Sequence, residues 1–135
     1  MRTLRIGELA SKGNVNLETI RYYERKGLMR PPPRSPSGHR AYPPGDLLRL
    51  RFIKRSQALG FTLTEIKELL ALKVTPNQLC IDVVRQIEAK SLEVNAKIAQ
   101  LQAIQRTLHK MKASCHGRYR VSECPILESL DSGRG

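Results

Sequence analysis

Three cysteines carry the most reactive chemistry in this chain, and their spacing limits what they can do together. Cys115 lies 35 residues after Cys80, and Cys124 lies nine further on, directly before Pro125. An odd number of thiols in a chain without an apolar leader reads as metal or redox chemistry in a reducing compartment rather than as a disulfide framework. Thiolates are soft ligands. Three of them without an evident fourth suit Hg(II), with Cd(II) or Pb(II) behind it, better than Zn(II), which takes a closed tetrahedron in structural sites. His116 is the candidate for a fourth position, although a histidine in so polar a loop reads first as a solvated side chain. Cys80 and Cys124 each stand at the start of an expected helix, where the helix dipole favours negative charge.

The segment between the cysteines must position them. Val84, Ile87, Ser91, Val94, Ile98, Leu101, Gln105 and Leu108 recur at alternating steps of three and four, a coiled-coil seam with two polar interruptions. No Pro or Gly falls between Cys80 and Cys115, and the other positions are rich in Glu, Lys, Gln and Ala, good helix formers. The same pattern would suit a core helix of a larger bundle, but too little chain remains to build one. The seam is therefore expected to meet its own copy in a homodimer. Since 35 helical residues span about 50 Å, Cys80 and Cys115 of one chain cannot share a ligand. If the two helices pair antiparallel, Cys80 of one subunit lands beside Cys115 and Cys124 of the other, and a three-thiolate site forms twice per dimer.

Composition bounds the rest. The 135 residues make one ordinary domain or a small head with a dimerisation arm, and the formal net charge is +12. Residues 1–60 hold 13 Lys and Arg against 4 Asp and Glu, whereas residues 61–135 hold 11 against 8. A compact basic unit of this kind suggests nucleic acid, because neutralising phosphates releases counterions. No apolar run reaches membrane-spanning length, so no membrane partner is expected and the location is read as cytoplasmic. There is no Ser, His and Asp set, no H-E-x-x-H and no phosphate loop, and His39, His109 and His116 fall in three separate segments. No enzyme is expected.

Along the chain, Ile6, Leu9 and Ala10 mark a short helix that Gly13-Asn14 ends, and Asn16 caps a second with Glu18 in its first turn and Gly27 beyond its end. On that second helix Leu17 and Ile20 are expected inward, while Thr19, Arg21, Tyr22 and Arg25 face out as a recognition surface for base edges and phosphates. The stretch 30–42, rich in Pro and Gly, suits a two-stranded hairpin, or wing, lined by Arg34, His39, Arg40 and Tyr42 beside a phosphate backbone. A plain proline linker is its alternative. Pro44 and Gly60 bracket a third helix with Leu47, Leu48, Leu50, Ile53 and Leu59 as its buried stripe and Arg49, Arg51, Lys54 and Arg55 opposite; Lys54 is counted with the DNA-binding set. Thr62-Leu-Thr-Glu65 is a capping box for a fourth helix carrying Ile66, Leu69 and Leu70. The break at 74–78 separates head from arm, Pro125 starts a final turn of helix with Ile126, Leu127 and Leu130 on one face, and the last few residues look disordered.

Ile6-Gly-Glu-Leu-Ala, Glu18-Thr-Ile-Arg-Tyr-Tyr-Glu24, Lys26-Gly-Leu, Arg40-Ala-Tyr42, Arg51-Phe-Ile-Lys54 and Leu59-Gly-Phe-Thr-Leu-Thr-Glu-Ile66 resemble the MerR transcription regulators over nearly the whole chain. One departure is Gly13-Asn14, where family members usually have Gly directly before the position of Val15. The resemblance implies an all-α fold with a small β wing: a winged helix-turn-helix head over 1–74, a long antiparallel coiled-coil dimerisation helix over 75–114, and a metal-binding loop with a short helix over 115–135. The cysteine pattern is similar to that of the mercury-responsive branch, since copper-type relatives place Ser at position 80 and redox-sensing relatives crowd four cysteines near the C-terminus. It further implies that a dimer on a dyad operator represses without metal and, with Hg(II) bound, twists and bends the DNA so that RNA polymerase can initiate. A Cd(II)-, Pb(II)- or Zn(II)-responsive regulator and a thiol-oxidation sensor on the same head are the alternatives.

Overall fold

The computed structural model describes residues 2–132, so the expected disorder of the last residues lies outside the described part. It is almost wholly helical: α1 (Ile6–Gly13), α2 (Leu17–Arg25), α3 (Gly45–Ala58), α4 (Leu63–Val74), α5 (Cys80–Ala113), a short 3-10 turn (Val121–Glu123) and α6 (Pro125–Asp131). The chain divides into two compact units, Met1–Gln86 and Ile87–Gly135.

In the first unit the helix ends are set by local chemistry. Asn14 closes α1 in the left-handed conformation at φ 55°, and the side chain of Asn16 accepts from the Thr19 amide at 2.8 Å to open α2. Gly13 is needed for space: a Cβ there would lie 2.3 Å from Leu50 Cδ2, so α1 and α3 can approach only over a bare backbone. The expected capping box of α4 is present, with Thr62 N donating to Glu65 Oε1 at 2.8 Å and Glu65 N to Thr62 Oγ1 at 3.2 Å. The head's core gathers Leu9, Ile20, Tyr23, Leu28, Tyr42, Leu50, Ile53, Phe61 and Ile66 from all four helices and the intervening loops, and Val83 of early α5 packs against it.

Three expected core positions are not in that core. Leu17 is 39% exposed, because the inward face of α2 is made by Ile20 and Tyr23. Leu48 and Leu59 are 64% and 66% exposed, since α3 turns Leu50 and Ile53 inward and both leucines fall off that stripe. The wing is also slighter than a two-stranded ladder. It consists of an isolated antiparallel bridge between Arg34 and Arg40, closed by Ser35 N to His39 O at 2.6 Å and Gly38 N to Ser35 O at 2.8 Å, with Gly38 at φ 85°. Prolines at 31–33 and 36 remove the amide donors that a longer ladder requires. A second bridge, Leu4 to Tyr42, ties the wing's root to the N-terminal segment through two 2.7 Å backbone hydrogen bonds.

The second unit consists of the rest of α5, the loop after it and α6. Pro125 occupies the first turn of α6, where its missing amide costs nothing. Lys90 is buried on α5, its ammonium donating to Glu93 Oε2 at 2.7 Å.

Candidate nucleic-acid interface and metal-binding thiols

Helix α2 and the wing meet along an open groove of about 520 Å³ lined by Arg21, Glu24, Arg25, Arg34, His39 and Arg40, among others. Five of these six are cationic or histidine, so the groove concentrates positive potential on one side of the head. Arg21 is exposed and reaches Glu18 at 3.2 Å, a solvent-facing pair that a phosphate can displace. Tyr22 is exposed, with Arg25 and Lys26 over its ring at 5.9 and 5.6 Å, which leaves a flat aromatic surface flanked by two cations. Thr19 has another task besides facing outward: its hydroxyl donates to Asn16 Oδ1 at 2.9 Å and strengthens the cap.

In the wing, Arg34 Nη1 donates to Gly38 O at 3.0 Å and Arg40 Nη1 to Pro32 O at 2.6 Å. Each guanidinium thereby braces the hairpin with one nitrogen and keeps further N–H donors. His39 is exposed.

Two members of the expected set have other roles. Tyr42 is fully buried, its hydroxyl donating to Glu24 Oε2 at 2.9 Å, so its side chain belongs to the core and reaches no phosphate. Burial, followed by the hydrogen bond and charge of Glu24, pushes this phenol well above its ordinary value near 10. Lys54 is half-buried, and its ammonium donates to Gly13 O at 3.1 Å and Asn14 O at 3.0 Å, capping the C-terminal carbonyls of α1 instead of standing free for DNA. Arg51 reaches the neighbouring Lys12 O at 3.5 Å. Glu24 and Asp46 were not singled out from sequence. Asp46 lies in a second open groove with Glu24, Arg30 and Arg49, and burial, with the Glu24 charge adding and Arg49 opposing, raises its carboxyl above the usual range. An acid on a basic face looks like ordinary solvation in sequence; the one signal was that Glu24 lies one helical turn from Arg21.

All three cysteines are free thiols, Cys80 exposed at the first residue of α5, Cys115 and Cys124 half-buried on either side of the loop before α6. Cys115 Sγ accepts from Gly117 N at 3.4 Å, and Cys124 is the N-cap of α6. Among the described residues of one chain, no three His, Cys, Asp or Glu side chains are grouped to hold a metal. The seam positions Val84, Ile87, Val94, Ile98, Leu101 and Leu108 are all exposed in the single chain, from 38% at Val84 to 64% at Leu101. A run of apolar side chains of this length on one helix is more than scattered surface residues account for. No helix among the described residues is long and apolar enough to cross a membrane.

The chain matches the family of MerR HTH family regulatory proteins over residues 4–73 and the MerR, DNA binding family over residues 47–111. It is 45% identical to the mercuric resistance operon regulatory protein of Bacillus cereus, over 93% of this chain and 96% of that one. It is 40% identical to the HTH-type transcriptional regulator ZntR of Escherichia coli strain K12, over 96% and 93%. The crystal structure of the transcription regulator PbrR691 from Ralstonia metallidurans CH34 in complex with lead(II) superposes with a TM-score of 0.84 at 39% identity, over 94% of this chain and 98% of that one. Head, wing and long helix therefore have both a sequence and a structural counterpart, and the chain belongs to the MerR family of DNA-binding helix-turn-helix transcription regulators, which are not enzymes.

Proposed function

We propose that this chain is a metal-responsive regulator that works in the cytoplasm as a homodimer on a dyad operator, repressing without metal and activating a resistance promoter when Hg(II) binds. The observation that carries this reading is the placement of one free thiol at the first residue of an unbroken helix and a second just past its end, with a third at the start of α6, while the helix's apolar seam is exposed. A continuous helix of 34 residues rises about 51 Å, so its two ends cannot contribute to one ion within a chain. An antiparallel partner supplies the missing thiols. Cys80 from one subunit with Cys115 and Cys124 from the other would hold a soft ion, which supplies a strong sulfur-bound cross-link between the two copies. A relative that regulates a mercuric resistance operon supports Hg(II), and a structural relative holding lead(II) makes Pb(II) the alternative inducer.

On the DNA side, Arg21, Tyr22 and Arg25 of α2 read or clamp the duplex, Thr19 stands at the base of the same helix, and Arg34, His39 and Arg40 grip an adjacent backbone segment. Two such heads on one dimer fix a two-fold operator. A change at the metal site alters their relative setting, and the DNA shape that RNA polymerase encounters changes with it.

Titration of the purified dimer with Hg(II), Cd(II), Pb(II), Zn(II) and Cu(I) tests the reading. Sulfur-to-metal charge-transfer absorbance should saturate at two Hg(II) per dimer, and transcription from an operator-bearing template should rise at the same stoichiometry. Activation by peroxide without metal, or by Pb(II) alone, would replace Hg(II) as the signal.

A further inference from the structure

Glu24 is an acid in a groove otherwise built to attract phosphate, and it is half-buried there among Arg21, Arg25, Arg34, His39 and Arg40. A carboxylate in that place opposes DNA unless it has a positioning task. Its Oε2 accepts the hydroxyl of Tyr42 at 2.9 Å. Tyr42 ends the wing: its backbone pairs with Leu4 through two 2.7 Å hydrogen bonds, and its ring is wholly buried in the core. Two residues before it, Arg40 anchors the hairpin to Pro32 and bridges to Arg34. Among the described residues, no other side-chain hydrogen bond joins the wing to α2.

We propose that the Tyr42–Glu24 hydrogen bond is a strut that sets the distance between the wing and the recognition helix, so that the cations of both can reach the DNA backbone at once. Glu24 and Tyr42 are positioning residues and touch no phosphate themselves. The hydrogen bond to an ionised acceptor in a partly desolvated groove is stronger than a neutral one, which makes it suited to hold an otherwise thin hairpin. Prolines leave that hairpin a single internal bridge, so its angle is not fixed by a ladder. The inference rests on the DNA-facing assignment of the groove.

The test compares Glu24→Gln with Glu24→Leu in the full-length dimer. Both remove the same charge, but only Gln keeps an oxygen that can accept from the Tyr42 hydroxyl. Operator affinity should be about tenfold weaker for Glu24→Leu than for Glu24→Gln, the scale of one hydrogen bond to a charged group. The slope of log affinity against log salt should also fall by about two units, because two wing arginines no longer neutralise phosphates. Tyr42→Phe, whose ring still fills the core, should show the same loss of slope. Arg40→Ala serves as the control for the groove itself. If Arg40→Ala weakens binding while Glu24→Gln, Glu24→Leu and Tyr42→Phe share one affinity and one salt slope, the strut is refuted and the groove stands. If Arg40→Ala leaves affinity and slope untouched, the DNA-facing assignment fails, and the strut with it. Circular dichroism melts of each variant separate these results from unfolding, and equal slopes in folded Glu24→Gln and Glu24→Leu overturn the proposal on their own.

Discussion

Replacing Gly13 by Ala adds one methyl group at the point where α1 meets α3, and the structure makes the sign of its effect depend on a single neighbour. The new Cβ would lie 2.3 Å from Leu50 Cδ2 and 3.1 Å from Leu50 Cγ, and Leu50 is fully buried. Overpacking of this kind costs about 1–3 kcal/mol. Against it stands the usual benefit of replacing a helical Gly by Ala, about 0.5–1 kcal/mol. The clash wins. Gly13→Ala should therefore lower stability by about 1 kcal/mol, and by no more than about 2.5 kcal/mol, with each kcal/mol lowering Tm by about 4–8 °C for a head of this size. In a Leu50→Ala background, which alone costs about 2–5 kcal/mol, the obstructing atoms are gone and the same substitution should become neutral or stabilising. Thermal melts followed by circular dichroism at one fixed protein concentration give all four corners of this cycle. Gly13→Ala destabilising to the same extent in both backgrounds would refute the assignment of the close contact to Leu50.

Arg21→Ala, Tyr22→Ala and Arg40→Ala should each weaken operator binding by about 1–3 kcal/mol in a gel-shift or anisotropy titration, while dimer mass and metal uptake stay unchanged. Ile98→Glu or Leu101→Glu places a carboxylate in the proposed seam at a cost of several kcal/mol, and sedimentation should then find monomer; an intact dimer that still holds metal would remove the seam. Alkaline pH should destabilise the head, with Tyr42 as one contributor beside Tyr23, whose phenol burial also raises. The Tyr42 hydroxyl titrates above the ordinary phenol value in the folded state, so the contribution is complete below about pH 10. It is lost as pH rises further, because the unfolded chain ionises there and the folded chain resists. Tyr42→Phe should flatten the fall in stability above pH 10, and an unchanged profile would mean that another group controls it.

Features that depend on a few consecutive residues were readable without a structure. Asn16, Thr62 with Glu65, Gly13-Asn14 and Pro125 act on backbone groups within four residues of themselves, and all stand where their chemistry requires. Positions that depend on which face of a helix meets the core were less legible. Leu48 and Leu59 are apolar at plausible spacing, yet the phase of α3 is fixed by Leu50 against Gly13, a contact between segments 37 residues apart. Tyr42 and Lys54 misled for a related reason. A phenol in a basic hairpin and a lysine on a basic helix both suit DNA, and only the fold brings Glu24 to one and the carbonyls of residues 13 and 14 to the other. The cysteines are the opposite case: their ligand chemistry is legible in residue type, but the site proposed for them needs two chains, and among the described residues of one chain no three ligating side chains are grouped.

The most direct test of that shared site is complementation between two defective chains. Cys80→Ala and the double change Cys115→Ala with Cys124→Ala should each abolish tight Hg(II) binding as homodimers. In their co-expressed and purified heterodimer, one site draws Cys80 from the double variant and Cys115 with Cys124 from the single variant, while the other site has no cysteine. One Hg(II) per heterodimer, half the wild-type capacity, is the expected result, with the thiolate charge-transfer band restored. A heterodimer that binds no Hg(II) tightly, or a homodimer of either variant that keeps wild-type affinity, would contradict it.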